Sequence, residues 1–458
     1  MPVTSSGPAS RTTATPATST AASTPPPAVA IGEPALGAAD IGDPDFPGLG
    51  NGGYDVDQYL VRFSYDPATR RLDGATTVVA TATQALARFN LDLAGLTVSA
   101  VSVDGADAAF VRRGEELEIT PPTPLAAGRS FTTLVAYAGV PAPRANSAVP
   151  TGWLTTATGA YSVNEPDGSH GWFPSNDHPA DKARFRFDIT VPNPLTAVAN
   201  GRFIGSSPAS PTTTTWSYLT SDTMATYLAQ VAIGPFVVTE ATSARGVPVR
   251  LVVDKSLTGP AIGTLATVVD QLAVWFGPYP HEAAGMLIVN SSFGAAMESQ
   301  TLATFGSDWA AIPIEHEFAH EWFGNSVTPA RWNDIWLNEG FATYAEWLMS
   351  EQNGRATADA IARRVNPGRF RGPIADRPAG SLFDDTSYTG GAYVLHALRL
   401  TIGDAPFFRL LKTWPERFKG RSVTTADFER VATDVGERDL STFFTQYLHS
   451  AAVPALPR

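Results

Sequence analysis

The chain has 458 residues, of which 43% are hydrophobic and 17% are charged, and this composition suits a globular protein with two domains and substantial cores. Its net charge of −12 argues against a nucleic-acid partner, and no apolar run reaches the roughly eighteen residues that a membrane span needs. The absence of cysteine excludes a disulfide framework, an iron–sulfur cluster, a cysteine-ligated zinc ion and a thiol nucleophile.

The first residues are mostly Ser, Thr, Pro and Ala, with Arg11 as the one charged side chain among the first 30. Too few apolar side chains are present to form a core, so residues 1–45 are predicted to be disordered. The segment lacks the basic start and continuous apolar stretch of a secretory signal. Tails of this composition often follow a signal peptide, so the localisation stays open between an extracellular protein whose signal peptide is absent here and a cytoplasmic one.

Short strands are predicted for residues 46–242, because apolar residues alternate with polar ones along the chain. The clearest alternating sets are Tyr59, Val61, Phe63 and Tyr65, and then Phe185, Phe187, Ile189 and Val191. A period of two indicates strands with one buried face. We therefore predict an all-β amino-terminal domain.

The pattern changes near Gly246, and residues 243–458 are predicted to form a second domain. An apolar stripe at helical spacing runs from Leu265 to Phe276 and ends at Gly277. A short buried strand is predicted from Met286 to Val289. The chain after Tyr388 is predicted to be helical. One helix there should begin at the Thr424-x-x-Asp427 motif and end near Gly436.

The motif that carries the chemistry is His-Glu-Phe-Ala-His, residues 316–320. Positions i and i+4 of a helix lie on one face, so His316 and His320 can direct two imidazole nitrogens at one zinc ion. Glu339, on a following helix, can supply the third ligand and leave one position for water. Glu317 lies beside that water, where it can act as the general base and then pass the proton to the leaving amine.

The stretch from His316 to Trp347 resembles the active-site segment of the M1 aminopeptidases, which are gluzincins related in catalytic fold to thermolysin. Three further segments resemble the family's motifs, and they are Trp172 to Pro179, Ala295 to Ser299, and Tyr388 to Ala392. The resemblance covers most of residues 46–458. It implies a multidomain protein with a β-rich, saddle-like amino-terminal domain and a thermolysin-like α/β, mainly helical, catalytic domain.

The resemblance also implies one Zn²⁺ per chain and a peptide substrate with a free amino terminus. Glu298 matches the glutamate of the family's exopeptidase motif, and Glu165 aligns with a second acidic or amide position, so the two are expected to bind the substrate ammonium. The neighbouring Ala295, Ala296 and Met297 are expected to contact substrate. Tyr388 matches the tyrosine that donates a hydrogen bond to the oxyanion of the reaction.

Three positions depart from the family's motifs. Ser299 stands where the family has Asn, Val163 where it often has Gln, and Gly390 where Lys is usual. The few residues after Tyr388 cannot build the large helical domain that covers the active site in many members, and this predicts a short form with a relatively open cleft. Asp177 and His178 are assigned structural roles, and the oligomeric state is not predicted.

Two alternatives to the aminopeptidase stay open. A zinc endopeptidase of the same fold is favoured by the open cleft and by the Ser299 and Val163 departures. A non-catalytic member would bind peptides without cleaving them. Substrates with acetylated amino termini separate the first alternative from the aminopeptidase, and zinc content measured with turnover separates the second.

Overall fold

The computed structural model describes residue 7, residues 34–144 and residues 150–458, so most of the predicted disordered tail lies outside the described residues. Residues 34–45 correct that prediction. Ala35–Leu36 forms a strand parallel to the strand that begins at Leu86, and the buried Asp43 lies 3.1 Å from His178. These residues therefore belong to the amino-terminal domain. Pairing with distant residues orders them, and amino-acid composition does not reveal such pairing.

The amino-terminal domain consists mainly of strands. In chain order they are β1 (Ala35–Leu36), β2 (Tyr54–Asp66), β3 (Arg71–Ala82), β4 (Leu86–Asp92), β5 (Thr97–Val103), β6 (Ala106–Asp107), β7 (Ala109–Arg113), β8 (Glu116–Thr120), β9 (Ser130–Gly139), β10 (Pro143–Arg144), β11 (Thr151–Thr155), β12 (Ala160–Val163), β13 (Lys182–Pro192), β14 (Thr196–Ala199), β15 (Arg202–Ser210), β16 (Thr213–Leu219), β17 (Met224–Ala225) and β18 (Val231–Gly234).

These strands form three sheets. The largest runs β15-β16-β13-β2-β3-β9-β5-β6, with β17 paired to β13. A second runs β10-β11-β12-β18-β14, and a third runs β1-β4-β8-β7. The alternating side chains of β2 and β13 point into one aromatic core, where Tyr59 stacks on Phe185 with ring centroids 4.9 Å apart. The predicted period of two therefore marks the buried face of the central strands.

The catalytic domain combines a five-stranded mixed sheet and a two-stranded sheet with helices. Its strands are β19 (Phe236–Thr242), β20 (Pro248–Asp254), β21 (Ala284–Ile288), β22 (Ala296–Met297), β23 (Ala303–Phe305), β24 (Thr328–Pro329) and β25 (Ser422–Val423). Its α-helices are α1 (Ile262–Phe276), α2 (Ile314–Ala319), α3 (Trp336–Gln352), α4 (Ala358–Ala362), α5 (Gly391–Ile402), α6 (Asp404–Arg417), α7 (Thr425–Gly436) and α8 (Ser441–Tyr447).

The boundary between the domains lies earlier than predicted. The sheet order is β19-β20-β21-β23-β22, so β19 belongs to the catalytic domain, although its residues were assigned to the amino-terminal one. The antiparallel pairing of β19 with β20 from Phe236 to Thr242 places the boundary near residue 235. The sequence pattern changes only near Gly246, in the turn between these two strands, because β19 resembles the strands before it.

Two features of this domain position the active site. The short strand β22 lies at the edge of the sheet, and Glu298 follows it directly. Helices α3 and α5 cross at Gly340 and Gly391, where a Cβ atom on Gly391 would lie 2.6 Å from the Cα of Gly340. The missing side chains let the two backbones touch. The β-rich domain followed by the α/β catalytic domain confirms the predicted fold class, and no helix in the described ranges is long and apolar enough to cross a membrane.

Candidate active site

His316, His320 and Glu339 lie together at the meeting of α2 and α3. Helix α2 ends at Ala319, and His320 keeps helical backbone angles as its C-cap, so both imidazoles face the start of α3. The Nε2 atoms of His316 and His320 lie 3.2 and 3.7 Å from the same carboxylate oxygen, Oε2 of Glu339. Ligands about 2.0–2.1 Å from a tetrahedral zinc ion lie about 3.3 Å from one another. The spacing of these three donors therefore fits one zinc ion.

The Nδ1 atom of each imidazole also has a partner. Nδ1 of His316 lies 2.7 Å from Oε1 of Glu346, and Nδ1 of His320 lies 3.1 Å from the carbonyl oxygen of Phe323. An acceptor at Nδ1 places the proton there and leaves the lone pair of Nε2 for a metal. Sequence reasoning missed both partners. The position of Glu346 carried a signal, because it lies seven residues after Glu339 and so on the same face of α3.

Glu317 lies in the same buried cluster. One ligand atom each from Glu298, Glu317 and His320 lies within 4.8 Å of the others. Burial raises the pKa of Glu317 to about 8, the Glu298 and Glu339 carboxylates add to this shift, and His316 opposes it. A bound dication favours the charged form of a nearby carboxylate. Glu317 is therefore placed to exchange a proton with a group at the metal position.

Tyr388 reaches the site from the chain segment before α5. It lies in a π-helical turn, Thr386–Gly390, and its ring stacks on His316 with centroids 5.9 Å apart. Burial and the surrounding carboxylates, Glu339 first among them, raise the pKa of Tyr388 well above its usual value. The phenol is thus protonated at neutral pH and can donate a hydrogen bond.

Glu298 and Glu165 approach the same position from different domains. Glu298 follows the edge strand β22, Glu165 follows β12, and both have a carboxylate oxygen within 4.8 Å of Glu339. Burial raises the pKa of both groups, and the Glu298 charge adds to the shift at Glu165. Each carboxylate has one buried oxygen with no hydrogen-bond partner among the described residues. Unpaired buried carboxylates are costly, so this pair favours a cationic ligand.

A cavity of about 140 Å³ lies beside the carboxylate pair. Its lining is mostly apolar, and the residues that form it are Pro150, Thr151, Val163, Glu165, Phe293, Ala295, Ala296, Met297, Phe383 and Tyr388. Because Glu165 and Tyr388 belong to this wall, the cavity opens directly onto the site. The three expected substrate contacts, Ala295, Ala296 and Met297, all line it.

The structure accounts for two of the three departures from the family's motifs. At Gly390, where Lys is usual, a Cβ atom would lie 2.6 Å from Cδ1 of Ile374, so a longer side chain would require the Ile374 side chain to move. Val163 contributes an apolar side chain to the cavity in place of an amide. Ser299 is buried, and its carbonyl oxygen accepts a hydrogen bond of 2.9 Å from Leu302, a contact that any side chain allows. Nothing in the structure explains the choice of serine there.

Asp177 and His178 are part of the amino-terminal domain and form contacts within it. Asp177 accepts hydrogen bonds from His170 and Thr226, while His178 pairs with Asp43. Among the described residues, neither belongs to a group of side chains that could share a metal ion. These contacts agree with the structural roles expected for them.

Comparison with known proteins finds the same family along both domains. Residues 55–228 match the peptidase M1 N-terminal domain, and residues 269–447 match the peptidase family M1 domain. Among curated relatives, Aminopeptidase M1-D of Oryza sativa subsp. japonica is 27% identical over 318 residues, covering 62% of this chain and 36% of its own. Aminopeptidase N of Homo sapiens is 29% identical over 294 residues, covering 54% of this chain and 30% of its own. The chain spans about a third of the length of these relatives.

Solved structures match over a larger share of both chains. The M1 zinc metallopeptidase of Deinococcus radiodurans is 32% identical, with a TM-score of 0.85 over 91% of this chain and 98% of that one. A variant of it bound to a Tyr-Ser-Ala substrate is 31% identical, with a TM-score of 0.86 over 91% and 99% of the two chains. The two domain matches, this structural similarity and the zinc-binding donor set lead to one conclusion: the chain belongs to peptidase family M1 and is a zinc metallopeptidase.

Proposed function

We propose that this protein is an aminopeptidase that removes the first residue of peptides with a free amino terminus. The observation that carries the proposal is the pair of carboxylates, Glu298 and Glu165, beside the Glu339 carboxylate. A substrate ammonium is charged at neutral pH, since its pKa in a free peptide is about 7.7–8.0. It can supply the hydrogen bonds that the unpartnered oxygens of the two carboxylates lack.

His316, His320 and Glu339 are proposed to hold the zinc ion. When bound, zinc supplies a water molecule with a pKa near 7 and polarises the scissile carbonyl group. Glu317 takes a proton from the attacking water and delivers it to the departing amine. The protonated Tyr388 hydroxyl donates a hydrogen bond to the developing oxyanion. Four of these side chains are buried and Tyr388 is half-buried, which strengthens the interactions because water competes less for the charges.

The apolar cavity is proposed to take the first side chain of the substrate. That side chain and the ammonium leave the same α-carbon, so the pocket for the side chain must open beside the ammonium site. The cavity meets this condition because Glu165 forms part of its wall. Phe293, Met297 and Phe383 supply apolar surface, which favours large apolar side chains over charged ones.

A panel of fluorogenic aminoacyl amides and their acetylated counterparts tests the proposal. We expect zinc-dependent cleavage of the free-amine set alone, with substrates that begin with Phe, Leu or Met cleaved faster than those that begin with Asp or Lys. A chelator should abolish turnover, and added zinc should restore it. Glu298→Gln should lower kcat/KM roughly ten- to hundredfold, the cost of losing a hydrogen bond between charged groups, with zinc content unchanged.

Cleavage of the acetylated peptides at comparable rates would contradict the aminopeptidase and support an endopeptidase. One bound zinc ion per chain with no turnover on any peptide would support the non-catalytic reading. A preference for charged first residues would be compatible with aminopeptidase activity and would contradict only the proposed role of the cavity as the pocket for the first side chain. Zinc content is measured on each variant by elemental analysis, so that loss of metal is not mistaken for loss of substrate binding.

A further inference from the structure

Glu321, the residue after the second histidine of the zinc motif, is a buried carboxylate outside the proposed catalytic set. Its two oxygens face separate donors. Oε1 accepts a 2.8 Å hydrogen bond from the backbone N–H of Thr301, and Oε2 accepts a 3.2 Å bond from Nδ2 of Asn325. The carboxylate therefore joins the end of the zinc-binding helix to the segment that follows the edge strand β22.

The segment 298–301, called here the anchor loop, carries Glu298 at its start and Thr301 at its end. Thr301 has a φ angle of +66°, a conformation that a β-branched residue rarely adopts. Such a conformation is strained, and it persists only where neighbouring groups hold it. The bond from its N–H to Glu321 is one such contact. A 2.7 Å bond from the N–H of Gly201 to its Oγ1 is another.

Asn325 holds the other end of the anchor loop. Its Nδ2 donates a 2.7 Å hydrogen bond to the backbone carbonyl of Glu298 and also bonds Oε2 of Glu321. The Glu321 carboxylate thus orients the amide that holds Glu298. Both ends of the loop are connected to a residue that directly follows His320 in the chain, and so to the metal position.

We propose that Glu321 is a positioning residue that fixes the distance between the substrate's ammonium site and the metal. The inference rests on the proposed aminopeptidase function, since it concerns the carboxylate that binds the ammonium. A terminal peptide unit has a fixed length from its ammonium to its first carbonyl carbon. A displacement of about 1 Å in one of the two sites can cost roughly a hundredfold in rate. Glu321 would keep that displacement small.

The test compares two substitutions of similar volume, Glu321→Gln and Glu321→Met. Glutamine keeps an oxygen for the Thr301 N–H, whereas methionine removes both acceptors. Two zinc-binding inhibitors serve as probes: phenylalanine hydroxamate and 3-phenylpropanohydroxamate, which differ in the amine alone. The inhibition constant of 3-phenylpropanohydroxamate divided by that of phenylalanine hydroxamate measures how much the ammonium group strengthens binding. Glutamine loses the Asn325 contact alone, because its NH2 group cannot accept a hydrogen bond from Nδ2 of Asn325. We therefore expect the ratio to fall several-fold in Glu321→Gln and at least tenfold in Glu321→Met, with one zinc ion per chain in both.

A merely structural role would give a different result. Both inhibitors would then weaken together in Glu321→Met, the ratio would stay unchanged, and the proposal would be overturned. If Glu321→Met does not fold, Asn325→Ala removes the contact with the Glu298 carbonyl and leaves Glu321 in place. We expect that variant to lower the ratio several-fold, and an unchanged ratio overturns the proposal. A ratio near one in the wild-type protein overturns the aminopeptidase proposal itself, so the two failures are distinguishable.

Discussion

Each imidazole of the zinc motif has a defined acceptor at its Nδ1, a carboxylate for His316 and a backbone carbonyl for His320. The two acceptors differ in kind. The carboxylate of Glu346 increases the basicity of His316, whereas the carbonyl of Phe323 mainly orients the ring of His320. Such outer contacts typically change metal affinity ten- to a hundredfold when removed. The proposed zinc site therefore depends also on residues outside its three ligands.

Glu317→Gln should lower kcat by roughly a hundred- to ten-thousandfold, because the amide cannot take the proton of the attacking water. Zinc content should stay at one ion per chain, since Glu317 is not among the three proposed ligands. The control is Glu315→Gln, a substitution on the same short helix outside the cluster, which should leave kcat within twofold. Steady-state kinetics with elemental analysis checks both. Near-normal turnover in Glu317→Gln would contradict the assignment.

At the scale of elements, the crossing of α3 and α5 determines where Tyr388 lies. Helix α3 carries Glu339, and the turn before α5 carries Tyr388, so the separation of the two helices sets the distance from the phenol to the metal position. The glycines at the crossing, Gly340 and Gly391, allow the backbones to approach within van der Waals contact. A larger residue at either position must move one helix.

Gly391→Ala should lower both kcat and the melting temperature. Its Cβ atom would lie 2.6 Å from a backbone atom of Gly340, which cannot move aside as a flexible side chain can. Overpacking of this kind costs about 1–3 kcal/mol, more than the roughly 1 kcal/mol that alanine contributes to helix propensity. The control is Gly263→Ala in α1, where a Cβ atom meets nothing within 4 Å.

We expect Gly263→Ala to leave kcat unchanged and the melting temperature the same or slightly higher. Thermal unfolding followed by circular dichroism and steady-state kinetics measure the two effects. Equal behaviour of the two alanine variants would show that the helices can separate without consequence for the site.

Local sequence patterns predicted helices α1 and α7. Contacts between residues far apart in the chain determine the features of the site that were not predicted. The Thr424–Asp427 capping box begins α7 as predicted, because all of its hydrogen bonds lie within four residues. The apolar stripe from Leu265 to Phe276 likewise becomes the buried face of α1. The contact of Gly340 with Gly391 and the bond of Thr301 to Glu321 were not predictable. They join residues 51 and 20 positions apart, and no periodicity links them.

At the scale of the whole molecule, Lys182 is one of the residues whose hydrogen bonds join the two domains. Nζ of Lys182, at the start of β13, donates to the carbonyls of Asn325 and Ser326 and to Oγ1 of Thr328, at distances of 2.8 to 2.9 Å. The residues it contacts follow the zinc motif directly. The amino-terminal domain is therefore attached to the catalytic domain close to the chemistry, and Glu165 reaches the site across the same junction.

The stability of the amino-terminal domain should depend on pH through His170. Burial lowers the pKa of this imidazole, but hydrogen bonds with Asp177 and Glu115 outweigh burial and raise the pKa to about 10. The unfolded value is about 6.5. Because the folded pKa is the higher one, the stabilisation is fully present below pH 6.5 and is lost as the pH rises through 10.

The difference in melting temperature between the wild-type protein and His170→Gln should accordingly be largest near pH 6 and shrink towards pH 10. His449→Gln is the control, because His449 pairs with Glu429 on the surface and its removal should change little at any pH. Differential scanning calorimetry across that range measures both differences. A gap that does not change with pH would contradict the role of the His170 charge.

Glu165 comes from the amino-terminal domain, so a movement between the domains would displace it from the metal position. Glu317 and the three donors proposed to hold zinc all come from one domain, whereas the two carboxylates beside them, Glu298 and Glu165, come from different domains. On the proposed function, the residues for hydrolysis and the residues that select for chain ends would therefore lie in separable parts of the molecule. A substitution at the domain junction could alter which peptides are cleaved while the metal chemistry stays intact. Endopeptidase activity could thus arise from this scaffold by a small shift between the domains, without any change in the zinc motif.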